Sequence, residues 1–218
     1  HRNSIRIDWP VMMVISILFY VFVRDNRLDR YEGIIFNILL ISFVFFSVRY
    51  SRKEMKNAEI VPTKPDLSIL TSLVLIILSS LGLVIGSNLL VENAAIIATE
   101  LGISERAISI SMIAIGTSIP ELVTSVMAAV QKETDISVGN IVGSNIFNLL
   151  SVLGITAIIK PIFVSEIMVN FDIIWMLGIS LLLFLLILPL KSARLGRTQG
   201  IVLLLVYVIY LYLVFKAD

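Results

Sequence analysis

The chain has 218 residues, 58% of them hydrophobic and 15% charged, and its mean hydropathy of +0.99 lies far above that of a soluble domain of this length. A net charge of +1 carries no global excess to draw nucleic acid or an acidic partner, and neither is expected. Cysteine is absent, which removes disulfides, thiolate metal sites and cysteine nucleophiles together, and the single histidine, His1, stands at the very start, as a frayed terminus would.

Taken in chain order, seven apolar runs are long enough to cross a hydrocarbon core of roughly 30 Å, at residues 9–23, 33–49, 67–91, 106–130, 137–159, 170–190 and 199–215. The expected fold is therefore all-α, a polytopic membrane helix bundle embedded in a lipid bilayer. The chain opens His1-Arg2-Asn3-Ser4, with neither an initiator methionine nor a signal pattern before the first apolar run, as part of a longer protein would. Trp9 and Trp175 lie near the starts of two spans and suit interface anchors. The third span is expected to run on past Glu92 as a long tilted helix. Asn88, Glu92 and Asn93, near its end, read as an interfacial or capping cluster.

Seven spans put the termini on opposite sides, and eleven Lys and Arg on one side stand against six on the other. By the positive-inside rule the loop from Tyr50 to Asp66 is cytoplasmic and the C-terminus, Asp218, is outside. The segment Arg27-Leu28-Asp29-Arg30-Tyr31-Glu32-Gly33-Ile34 recurs 167 places later as Arg194-Leu195-Gly196-Arg197-Thr198-Gln199-Gly200-Ile201, identical at five of eight positions. The copies fall on opposite sides of the membrane, so the repeat is inverted, the layout of many secondary transporters. Extending the same offset places about 100 residues upstream of His1, carrying the counterpart of spans three to five.

The fourth span contains Ala114-Ile115-Gly116-Thr117-Ser118-Ile119-Pro120-Glu121, in which glycine, proline, two hydroxyls and a carboxylate interrupt an apolar helix. Pro120 has no N–H and its ring crowds the carbonyl four residues back, so oxygens near Gly116 and Ala114 lose helical partners and are expected to face a cation. Thr117 and Glu121, four apart, share a helix face, with Ser118 on the adjacent one. The fifth span carries Gly139-Asn140-Ile141-Val142-Gly143-Ser144-Asn145-Ile146-Phe147-Asn148, where Ser144 and Asn148 repeat the four-residue spacing. Gly139, Gly143 and Asn145 suit close helix packing as well as they suit ion binding.

A carboxylate at the centre of a bilayer helix costs about 2.5 to 3.5 kcal/mol. No Lys, Arg or His lies mid-span to pair with Glu121, so a cation or a proton must offset its charge. Oxygen ligands without sulfur or imidazole favour hard ions such as Ca²⁺ or Na⁺. One carboxylate does not neutralise a dication in low dielectric, so a second is expected from the missing unit. A proton-coupled or other-cation exchanger, and a non-transporting scaffold or sensor whose polar helices pack on a partner, remain open alternatives. An intramembrane protease lacks its His, its Cys and a second mid-span acid.

Residues 116–121 followed by 139–148 resemble the second α-repeat of sodium/calcium exchangers in the cation/calcium antiporter superfamily. The resemblance implies a secondary transporter rather than an enzyme, with no prosthetic group, exchanging Na⁺ for Ca²⁺ by alternating access. It implies that Glu121 contacts both ions, with Thr117, Ser118, Ser144, Asn148 and the Ala114 carbonyl lining adjoining sites. Asn148 departs from family members with aspartate there, which lowers the charge of the site. In a ten-helix exchanger, 1–50 would be the last two helices of the first repeat, 51–66 the cytoplasmic linker and 67–218 the second five-helix repeat, with ion motifs at 114–121 and 139–148. The first α-repeat would come from the same polypeptide or a co-assembled fragment, and the protein is expected in the plasma (inner) membrane.

Overall fold

The structure is a computed structural model that describes residues 7–57, 68–103, 108, 114–187 and 196–217. It is helical almost throughout. Helices α1 (Trp9–Phe22), α2 (Arg30–Asn57) and α3 (Ile69–Glu100) are followed by α4 (Ala114–Thr117) and α5 (Ile119–Val130). Then come α6 (Thr134–Phe147), continued by a π-helical turn (Asn148–Leu153) into α7 (Gly154–Ile159), and a second π-helical turn (Met168–Asp172) leading into α8 (Ile173–Ile187). Helix α9 (Arg197–Ala217) comes last.

Among the described residues five helices are long and apolar enough to cross a membrane: Arg30–Lys53, Ile69–Glu100, Ile136–Ile159, Met168–Leu186 and Arg197–Lys216. The all-α membrane fold thus follows the hydropathy of the sequence. Helix α1 has 14 residues, about 21 Å at 1.5 Å each, short of a full crossing. The fourth expected span is divided between α4 and α5, its first part falling partly outside the described residues. Residues 51–57, read from sequence as the start of the linker, continue α2 as helix, and the rest of that linker lies outside the described residues.

The chain forms two compact units, residues 1–61 with 134–203, and 62–133 with 204–218. In the first, Trp9, Met12, Ile15 and Phe19, one face of α1 at helical spacing, join Phe36, Val142, Ile146, Leu149, Leu150, Ala157 and Ile173 in a single apolar core. Trp9 is a correction to the sequence reading. It is buried, stacks on Phe184 with ring centroids 4.0 Å apart, and donates its indole N–H to the Ser180 carbonyl at 3.0 Å. An indole whose N–H finds a protein acceptor is satisfied in a core and has no need of the interface.

Between α1 and α2 the chain turns through Asn26 in the left-handed region (φ 63°), and the two-residue strand β1 (Arg27–Leu28) pairs antiparallel with β2 (Ile162–Phe163). The Arg27 guanidinium lies 5.6 Å from the centre of the Phe163 ring, and its Nε is 2.5 Å from Asp29 Oδ1. The eight-residue repeat found in the sequence has a structural counterpart at the starts of α2 and α9. The Asp29 N–H donates to Glu32 Oε2 at 2.7 Å and the Gly33 N–H to the Asp29 carbonyl at 3.0 Å. At the positions 167 residues on, the Gly196 N–H donates to Gln199 Oε1 at 3.1 Å and the Gly200 N–H to the Gly196 carbonyl at 3.1 Å. Glu32 and Gln199 each supply the backward-reaching half of a capping box, satisfying a donor that the helix itself leaves open.

Helices α2 and α7 cross where Gly33 meets Gly154. A Cβ at Gly154 would come within 2.7 Å of Asn37 Nδ2 and 3.1 Å of Phe36 Cβ, and one at Gly33 within 2.6 Å of the Gly154 carbonyl oxygen. Small residues of this kind let helix backbones approach closely where no solvent drives them together. We expect Gly154→Ala in the full-length protein to destabilise the fold through overpacking, at a cost of about 1 to 3 kcal/mol, and so to lower the thermal unfolding midpoint in detergent. Gly178→Ala, where a Cβ meets no described atom within 4 Å, should leave the midpoint unchanged or raise it, and equal losses from both variants would reject the close crossing.

Candidate ion site

Within the second unit, α4, α5 and the residue between them carry four of the six residues the sequence singles out. Helix α4 ends at Thr117, and Ser118 (φ −96°, ψ 0°) sits between it and α5. Pro120 falls in the first turn of α5, where a missing N–H costs nothing because that donor would have no helical partner. Helical bonding resumes at once, with the Leu122 N–H donating to the Ser118 carbonyl at 2.9 Å. The Thr124 hydroxyl reaches the carbonyls of Pro120 and Glu121, both at 3.0 Å.

Glu121 stands in the first turn of α5, where the exposed N–H groups of a helix start favour a negative charge. Its residue is half-buried, and the carboxylate oxygen Oε2 is enclosed by protein atoms. Thr117 and Ser118 are exposed on the same short stretch, and Ala114 opens α4. Among the described residues no three His, Cys, Asp or Glu side chains gather as a metal cluster.

One expectation is corrected. The carbonyl four residues before Pro120 is that of Gly116, and it accepts a hydrogen bond from the Ser87 hydroxyl of α3 instead of standing open to a cation. Val91, one turn further along α3, packs so closely on Gly116 that a Cβ there would run into its methyl group. Sequence reasoning singles out neither Ser87 nor Val91, since a serine in an apolar run does not reveal which freed carbonyl it meets. Of the two readings of Asn88, Glu92 and Asn93, interfacial or capping, the cap does not hold, and the expected continuation of the third span past Glu92 does. Helix α3 runs on to Glu100 and closes through Gly102 (φ +75°), with the Ile103 N–H donating to the Ala98 carbonyl at 3.1 Å. Asn93 Nδ2 turns back to the Leu89 carbonyl at 2.6 Å.

Within the first unit, Ser144 and Asn148 lie on the helix that begins as α6. Ser144 is half-buried and its hydroxyl donates to the Ile141 carbonyl at 3.1 Å, an oxygen also taken by Asn145 Nδ2 at 2.8 Å. Asn148 is exposed and is the first residue of the π-helical turn. Such turns widen the helix, shift the register of the residues beyond them, and recur at functional positions. Gly143, expected to permit close helix packing, has no neighbour of that kind within its own unit.

The profile of the sodium/calcium exchanger protein family matches residues 71–216, which contain all six of these positions. The chain belongs to the sodium/calcium exchanger family. Among its relatives, CaxA of Alkalimonas amylolytica is 34% identical over 223 residues, covering 98% of this chain and 69% of that protein. The sodium/calcium exchanger MaX1 of Methanosarcina acetivorans is 37% identical over 140 residues, 64% of this chain and 39% of that protein. A solved structure of the sodium-calcium exchanger NCX_Mj, soaked with Na⁺ and Sr²⁺, superposes with a TM-score of 0.72 at 30% identity, covering 96% of this chain and 65% of that one. The chain thus spans about two thirds of the length of CaxA and of the NCX_Mj chain.

In this exchanger chain the contact of Gly116 with Val91 yields a direct expectation. Gly116→Ala should force α3 and α4 apart and lower the thermal midpoint of the full-length protein by several degrees. Gly143→Ala should not, and a Gly116→Ala protein as stable as the parent would contradict the close approach.

Proposed function

We propose that the full-length protein is a secondary cation antiporter that exchanges Na⁺ for Ca²⁺ across the membrane by alternating access. The observation that carries this reading is Glu121, an acid in the first turn of a helix that restarts inside an apolar span, with one carboxylate oxygen enclosed by protein. An intramembrane acid is costly unless an ion or proton regularly takes its charge, and hard oxygen donors favour Na⁺ and Ca²⁺. Thr117, Ser118, Ser144, Asn148 and the Ala114 carbonyl complete the chain's share of the ligands in this reading. The relatives named as sodium/calcium exchangers support it.

Charge balance calls for a second carboxylate, which we assign to an N-terminal α-repeat outside these 218 residues. It would belong to the same polypeptide or to a co-assembled fragment, and the two matching helix caps at α2 and α9 support a repeated design. In this reading the surplus of Lys and Arg assigns the segment 50–66 to the cytoplasm and Asp218 to the outside, in the plasma (inner) membrane.

In vesicles holding the full-length protein, an imposed sodium gradient should drive calcium uptake, and Glu121→Gln should reduce it to the level of empty vesicles. Undiminished uptake by that variant would reject the assignment. Uptake driven by a pH gradient without sodium would select a proton-coupled exchanger instead.

A further inference from the structure

We propose that Ser87 is a positioning residue of the transport cycle: its hydroxyl seals the Gly116 carbonyl that Pro120 frees, and so fixes the ion-bearing helix break against α3. Three observations converge on it. Ser87 is buried, at 6% exposure, in a helix whose other side chains are mostly exposed. Its Oγ donates to the Gly116 carbonyl, the acceptor that a non-proline residue at 120 would have served. Val91 lies four residues on, hence on the same face of α3, and fills the space beside the bare Cα of Gly116.

The chemistry is a consequence of burial. A carbonyl without a partner away from water is costly, so the Gly116 oxygen requires a donor or a cation whichever way the helices stand. In this arrangement the donor is Ser87. Any displacement of α3 along α4 and α5 breaks that bond and presents the oxygen, five residues before Glu121, to water or to a passing cation. The Ser87 hydroxyl therefore decides whether the break is closed by protein or open to ligand, and Val91 sets how closely α3 must lie for the bond to form.

This inference rests on the antiport reading for its role in transport, but the contact itself is measured without transport. The first readout is hydrogen–deuterium exchange of the full-length protein without ions, over the peptide spanning 114–124. Ser87→Ala should cost this peptide about tenfold in protection, and Ser87→Thr, which keeps the hydroxyl, should restore it. Val91→Ala, which removes packing and keeps the donor, should cost clearly less. The second readout is vesicle uptake, where Ser87→Ala should shift the half-saturating Ca²⁺ by about fivefold or more while the maximal rate changes less, with Thr again restoring the parent value. Parent-like protection and half-saturation in Ser87→Ala would overturn the proposal, as would losses of equal size from Ser87→Ala and Val91→Ala. Should the parent protein carry no sodium-driven uptake, the antiport reading fails, and the exchange data alone still decide the Ser87 contact.

Discussion

A carboxylate in an apolar span and a proline one residue before it set the terms for the second unit. Glu121 brings a charge that the bilayer penalises by about 2.5 to 3.5 kcal/mol. Pro120 removes the N–H that would have closed the helix over Gly116. Placing the proline in the first turn of a new helix turns a break into a start: its missing donor is one no helix would use, and the neighbouring free N–H groups favour the acid beside it. The cost is transferred to the Gly116 carbonyl, and Ser87 meets it there. The length of α3, 32 residues closed by a left-handed glycine, carries Ser87 and Val91 to the level of the break.

The first unit answers different demands with different means. Its apolar core is built on one face of α1 and on the close approach of Gly33 to Gly154, a crossing that Arg30 also spans by donating to the Ile159 carbonyl at 3.4 Å. The helix carrying Ser144 and Asn148 is uninterrupted by proline, and its departure from regularity is the wide turn that begins at Asn148. At the starts of α2 and α9 the same solution to an open helix donor is used twice, with glutamate in one copy and glutamine in the other. A carboxylate and an amide accept the same hydrogen bond, which is why the repeat tolerates that change.

Much of this is legible in the amino-acid sequence because it depends on long-wavelength or strictly local signals. Hydropathy marks the membrane helices, and the Arg-Leu-x-Arg-x-x-Gly-Ile match locates the paired caps. The glycine, hydroxyl, proline and carboxylate of residues 116–121 announce a break, and their pairing with residues 139–148 identifies the family. The hidden part turns on which partner a group meets. Trp9 reads as an interface residue until Ser180 and Phe184 are seen beside it. The freed Gly116 carbonyl reads as an ion ligand until a serine 29 residues earlier in the chain closes on it. Asn88, Glu92 and Asn93 read equally as an interfacial cluster or a cap, and the helix, running on past Glu92 as its hydropathy leads one to expect, goes to Glu100 and leaves no cap there. The start of the linker reads as loop because its charges end the apolar run, yet charged residues are good helix formers and α2 carries on through them.

The most direct measurement is equilibrium binding of radioactive Ca²⁺ to the purified full-length protein in detergent, with and without competing Na⁺. The account predicts saturable Ca²⁺ binding that Na⁺ displaces and that disappears when position 121 carries glutamine. Calcium binding of unchanged affinity and stoichiometry in that variant would contradict it.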